Sequence, residues 1–120
     1  MTNVQHRELA AGRWWQLSLA EQLGNVGSEI SRTLRWQARN PEVARGALDR
    51  ALELIDLTLA DPRWLRSRAR LRELARAREV VVDFFAGRNE YGSTGPSLQK
   101  YFDAYALAAR LQHAEGRPHL

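Results

Sequence analysis

The chain contains no cysteine in its 120 residues, which excludes disulfides, thiolate metal sites and cysteine nucleophiles together. Lysine is almost missing as well: of the 18 basic residues, all but Lys100 are arginine. The histidines His6, His113 and His119 lie at or near the ends of the sequence. None stands three residues after a glutamate, the spacing that builds metal sites in helical bundles. Neither Gly-x-x-x-x-Gly-Lys nor Gly-x-Gly-x-x-Gly occurs, so no glycine loop is present to cradle a phosphate. No apolar run approaches the ~20 residues needed to span a bilayer. The opening MTNVQHRELAAGRWW lacks a secretion signal's order of basic start, apolar middle and small-residue cleavage site. These absences lead to the expectation of a cytoplasmic protein without membrane segment, metal or cofactor, and not an enzyme. The acids Asp56 and Asp83 could form an acid–base pair, but solvation or ion pairing is the simpler use of both.

What is present is helical periodicity over a chain long enough to bury one core. Ser18-Leu-Ala-Glu21 has the form of a capping box. After it Leu19, Leu23, Val26, Ile30 and Leu34 share one narrow arc, predicting a helix to about Arg39. Gly24 and Gly27 weaken that helix intrinsically, so close packing is expected there, with a functional cleft as the alternative. Asn40-Pro41-Glu42 and Asp61-Pro62 are two further start signals. They predict a second helix with Ala44, Ala47, Leu48, Ala51, Leu52, Ile55 and Leu59 inward. A third is expected to run unbroken from Asp61 to Ala86, stopped by Gly87, with Trp64, Leu71, Leu74, Val81, Val82 and Phe85 on its apolar side. Residues 88–96 form the one real loop. Ser97 is the expected cap of a fourth helix with Leu98, Tyr101, Phe102, Tyr105, Ala106 and Ala109 inward. Joints as short as those at Asn40 and Asp61 force antiparallel neighbours. The expected fold is therefore all-α, an up-down-up-down antiparallel four-helix bundle over residues 17–115, with an N-terminal extension at 1–16 and a tail at 116–120.

Charge is distributed unevenly. Seven arginines and the single acid Glu73 lie between Arg63 and Arg78, a local +6. The total is +4, so the rest of the chain sums to −2. Arg68, Arg72 and Arg76 repeat every four residues and form one outward stripe, while Arg63, Arg66 and Arg70 occupy another flank. Like charges so placed need acids from neighbouring helices or an external polyanion, and the guanidinium fork suits phosphate. Arg78 falls instead on the apolar arc, where an unpaired charge would cost several kcal/mol. A buried ion pair is expected, with Glu29, Asp56 or Glu79 as partner; a functional site inside the bundle is the second reading.

Apolar residues also exceed what one core requires. Leu54 and Leu57 on the second helix, and Ala104, Leu107, Ala108 and Leu111 on the fourth, form stripes beyond the inward faces. Such stripes mark interfaces, so a homo-oligomer built on Leu54, Leu57, Leu107 and Leu111 is expected. The alternative is that the segment bearing Trp14 and Trp15 folds back over one of them.

Three blocks, WWQLSLAEQLGNVGSEISR (residues 14–32), ALELIDLTLADPRW (51–64) and REVVVDFF with the later NEY and KYF, carry a resemblance to a known family. The chain resembles the four-helix-bundle group that includes both the proteins encoded in ribosomal RNA intervening sequences and the accessory variability (Avd-like) proteins of diversity-generating retroelements. The resemblance covers about residues 14–110. It implies a basic, pentameric assembly that binds nucleic acid, RNA or DNA, and the element's reverse transcriptase. Carried over to this sequence, it points to Arg63, Arg66, Arg68, Arg70, Arg72 and Arg76 as the nucleic-acid-binding positions. This chain departs from the strongly basic pattern, because outside the third helix its net charge is negative. The expected function is that of a non-catalytic retroelement accessory protein. The alternatives are a protein–protein adaptor without nucleic-acid binding and, last, a small-molecule enzyme using Asp56, Asp83 and Arg78.

Overall fold

The computed structural model describes residues 11–115, and every regular element among them is helical. A short helical stretch at residues 11–14 precedes α1 (Leu19–Trp36), α2 (Pro41–Leu59), α3 (Pro62–Leu65), α4 (Arg68–Ala86) and α5 (Gly95–Ala114). Residues 1–10 and 116–120, which hold most of the expected N-terminal extension and all of the expected tail, lie outside the described residues, as do His6 and His119. Among the described residues no helix is long and apolar enough to cross a membrane.

Local chemistry explains most of the boundaries. Ser18 caps α1 in the expected box: its Oγ accepts from the Glu21 N–H, and Glu21 Oε1 accepts from the Ser18 N–H. Asn40 caps α2 ahead of Pro41. The unbroken third helix does not form. Asp61 caps only the single turn α3, and the chain restarts at Ser67, whose Oγ accepts from the Arg70 N–H to open α4. A second good cap six residues after the first ends one helix and begins another. The fourth helix also starts earlier than expected. Thr94 is its cap, Pro96 lies in the first turn, and Ser97 serves as the N3 partner of a Thr94–Ser97 capping box. α1 ends at Trp36, three residues short of Arg39.

The core contains Leu23, Val26 and Ile30 of α1, Ala51 and Ile55 of α2, Leu74 and Val81 of α4, and Leu98 and Phe102 of α5. All are among the inward positions read from periodicity, others of which, such as Leu48, Leu52 and Tyr101, are only partly buried against the core. Phe102 is the largest fully buried side chain among the described residues. α1 lies close against both α2 and α5. Its contact with α5 depends on two glycines: a Cβ on Gly27 would stand 2.7 Å from the Phe102 Cβ, and one on Gly24 would stand 3.1 Å from the Ala106 Cα. α4 is held differently. It approaches α2, but its backbone stands farther from α5, and the aromatic side chains of α5 reach across the gap.

The loop from 87 to 94 is well specified. Both Asp83 carboxylate oxygens accept backbone N–H groups, from Glu90 at 2.8 Å and Tyr91 at 3.0 Å. Asn89 takes the left-handed conformation at φ 55° and bonds Ser93 through both its amide nitrogen and its amide oxygen. Asp83 is therefore a loop anchor, with both oxygens engaged.

Candidate functional site

The seven clustered arginines fall into two sets. Arg63 is neutralised within the chain: its guanidinium forks onto Asp61 at 2.7 and 3.1 Å, bonds the Leu17 carbonyl at 2.6 Å and lies over the Trp64 ring. Arg70 faces Glu73 at 3.6 Å and Trp64 at 5.8 Å. Arg78 pairs with Asp56, one of its three expected partners, at 2.6 and 3.3 Å. The expectation of burial is corrected, because the Arg78 and Asp56 side chains are 37% and 54% exposed. The α4 arc is narrower than periodicity suggested, and Arg78 lies at its edge, where it can reach water. Its pairing is consequently a surface interaction worth about 0–1 kcal/mol.

Arg66, Arg68, Arg72 and Arg76 form the second set. All four are exposed, and none has a carboxylate within ion-pair distance among the described residues. Arg76 meets only the ring of Tyr91, at 5.7 Å. The nucleic-acid-binding positions expected from sequence are thus brought to one short stretch of surface, but Arg63 is withdrawn from it and Arg70 is shared with Glu73.

Arg63 belongs instead to a buried polar network that sequence reasoning missed. Gln22 and Asp61 are fully buried. Gln22 Nε2 donates to Asp61 Oδ2 and to the Trp14 carbonyl, while its Oε1 accepts from Trp64 Nε1. Trp14 Nε1 donates to Thr58 Oγ1 and Trp15 Nε1 to the Leu57 carbonyl. Burial alone would push the Asp61 carboxyl up. The Arg63 guanidinium and backbone N–H, with Gln22, outweigh it and hold the group below its ordinary value. A glutamine inside a helical arc gives little sequence signal. The available clue was three indoles and an aspartate with no second use.

The same network decides the apolar stripes. Trp15 reaches the Leu57 backbone, and neither Leu54 nor Leu57 is strongly exposed. Leu54 packs against the core. The tryptophan-bearing segment therefore folds back along α2, and these two leucines do not form an open patch. Leu107 and Leu111 do remain open, at 50% and 54% exposure.

Glu73 lies between α4 and α5. Its Oε2 accepts from Tyr105 at 3.0 Å and Tyr101 at 3.4 Å. Burial pushes the hydroxyls of both tyrosines to ionise at higher pH than usual, and Glu73 adds to the effect. Asp56, Arg78 and Asp83 do not close around a common space. An open depression has Arg78 and Asp83 on its wall, without Asp56. Beside Gly24 and Gly27 runs a shallow groove bordered by Arg32, Arg35, Asp103 and Arg110. Among the described residues no group of three or more metal-ligating side chains is assembled. Comparison of the chain with protein-family models, with curated proteins and with solved structures finds no match.

Proposed function

We propose that this chain is a non-catalytic binding protein whose arginine face on α3 and α4 receives nucleic acid, or an enzyme that works on it. One observation carries the proposal: Arg66, Arg68, Arg72 and Arg76 are exposed without carboxylate partners, while Arg63, Arg70 and Arg78 beside them are paired. Like charges one helical turn apart repel. An external row of phosphates relieves that repulsion and uses the fork geometry of arginine. The resemblance to the accessory proteins of diversity-generating retroelements extends the proposal. The four long helices would form an up-down-up-down bundle, copies would assemble as a homo-oligomer, a pentamer by analogy, and the partner would be a reverse transcriptase with its RNA or DNA.

The test is Arg68→Glu combined with Arg72→Glu, followed by anisotropy titration of labelled RNA and DNA over a salt series. Wild-type affinity should fall steeply with salt through counterion release. The double variant should lose binding while keeping its helicity and assembly state. Equal binding by the two proteins would overturn the proposal.

A second reading has its own support in the open leucines of α5, Leu107 and Leu111. In that reading the chain is a protein–protein adaptor. Leu107→Asp would abolish self-association or partner binding, and no form of the protein would show salt-sensitive affinity for nucleic acid.

A further inference from the structure

We infer that the gap between α4 and α5 is a binding cavity for a small aromatic carboxylate. The cavity holds about 240 Å³, compared with the ~150 Å³ that accommodates benzene in a dry protein interior. Ala77 and Val80 of α4 and Leu98, Tyr101 and Phe102 of α5 give it apolar walls. Tyr101 and Phe102 already meet edge-to-face at 5.0 Å, and a third ring can join them with the same geometry.

Charge at the wall selects the head group. Glu73 is there, but its carboxylate is engaged by Tyr105 and faced by Arg70 at 3.6 Å. Arg76 is there with no carboxylate among the described residues. Ser93 is half-buried on the same wall; its backbone bonds Asn89 twice, but its hydroxyl makes no hydrogen bond among the described residues. A guanidinium that meets a tyrosine ring but no carboxylate, and a hydroxyl without a hydrogen bond, beside an apolar void call for an anion attached to an apolar body. A neutral hydrocarbon would leave both polar groups unanswered, and an ammonium would meet Arg76. This inference does not depend on nucleic-acid binding, although Arg76 also belongs to the arginine face.

The experiment is NMR titration of the isotope-labelled full chain, without nucleic acid, using hydrocinnamate and its neutral analogue hydrocinnamyl alcohol. Hydrocinnamate should bind saturably at millimolar concentration, the range open to so small a ligand, and should shift the amides of Ala77, Val80, Ser93 and Ser97. The alcohol should bind about tenfold more weakly, and Arg76→Gln should weaken the carboxylate by a similar factor, as loss of one charge-assisted contact requires. Val80→Phe should fill the space and abolish the shifts with helicity retained; Ala77→Leu tests the same point if the phenylalanine variant does not fold. Three results would each overturn the inference: no saturable shift, shifts centred away from this wall, or equal affinity for acid and alcohol in both wild type and Arg76→Gln.

Discussion

α1 and α4 flank α5 in contrasting ways. α1 meets it with two glycines, leaving no room for a Cβ at Gly27, and at its N-terminal end ties its buried Gln22 to Asp61, Trp14 and Trp64. α4 meets α5 through the half-buried Tyr101 and Tyr105, which grip Glu73 and leave a cavity of about 240 Å³ beside it. The tight side is made by removing side-chain volume so that backbones can approach. The open side is made by rings that hold the backbones apart and do not fill what lies between. Packing density is a source of stability, so stability belongs with α1. The unpaired charges and the cavity belong with α4.

Substitutions on the two sides of α5 would break or sharpen this contrast. Phe102 touches both sides, being packed on Gly27 and lining the cavity. Phe102→Ala should therefore cost about 3–5 kcal/mol in chemical denaturation; a loss below about 1 kcal/mol would mean that neither side depends on it. Gly27→Ala should lose a net ~1–2 kcal/mol, because the steric cost of forcing α1 from α5 exceeds the gain in helix propensity. Gly46, on the exposed side of α2 with nothing within 4 Å of an added Cβ, is the control. Gly46→Ala should gain up to about 1 kcal/mol, and matching signs at the two glycines would remove close packing as the explanation.

Titration should separate the two sides as well. The Asp61 carboxyl is held below its ordinary value in the folded protein. Its contribution is thus complete above the unfolded value near ~4 and fades as pH falls through the lower folded value. Asp61→Asn should flatten that acid limb of a stability-against-pH curve. Tyr101 and Tyr105 are raised, so their contribution is complete below about pH 10 and is lost above it. Tyr101→Phe should flatten the alkaline limb and leave the acid limb unchanged. The smallest effect is expected from Tyr105→Phe at neutral pH. It removes one exposed hydrogen bond to Glu73 and should cost roughly 0.5 kcal/mol; a loss of several kcal/mol would mean that the tyrosines do more than space the helices.

Much of this molecule could be read without coordinates. The caps at Ser18, Asn40 and Asp61 and the inward positions Leu23, Val26, Ile30, Ile55, Leu98 and Phe102 follow from local rules, because a cap answers amides a few residues away and an apolar arc needs only a period. The close approach at Gly24 and Gly27 was legible for a related reason: glycines inside a helix call for a packing explanation. The break at Ser67 was not. Ser67 and the cap at Asp61 compete for the same stretch, and the periodicity of α4 extends across both. An ion pair of Arg78 was legible with Asp56 as one of three candidate partners, but its position at the exposed edge of α4, and not within the apolar arc, depends on how α4 stands against its neighbours.

Sequence alone determined that the described chain is helical, where most of its helices begin, which residues enter the core, and that positive charge accumulates in one segment. These properties depend on spacing and composition over a few turns. Only the tertiary structure decided which arginines retain their charge uncompensated and which are absorbed by Asp61, Glu73 and Asp56. It also decided that Trp15 bonds the Leu57 backbone and that the α4–α5 seam stays open. Each of those outcomes depends on distances between residues far apart in the chain, and no local period or cap encodes such a distance.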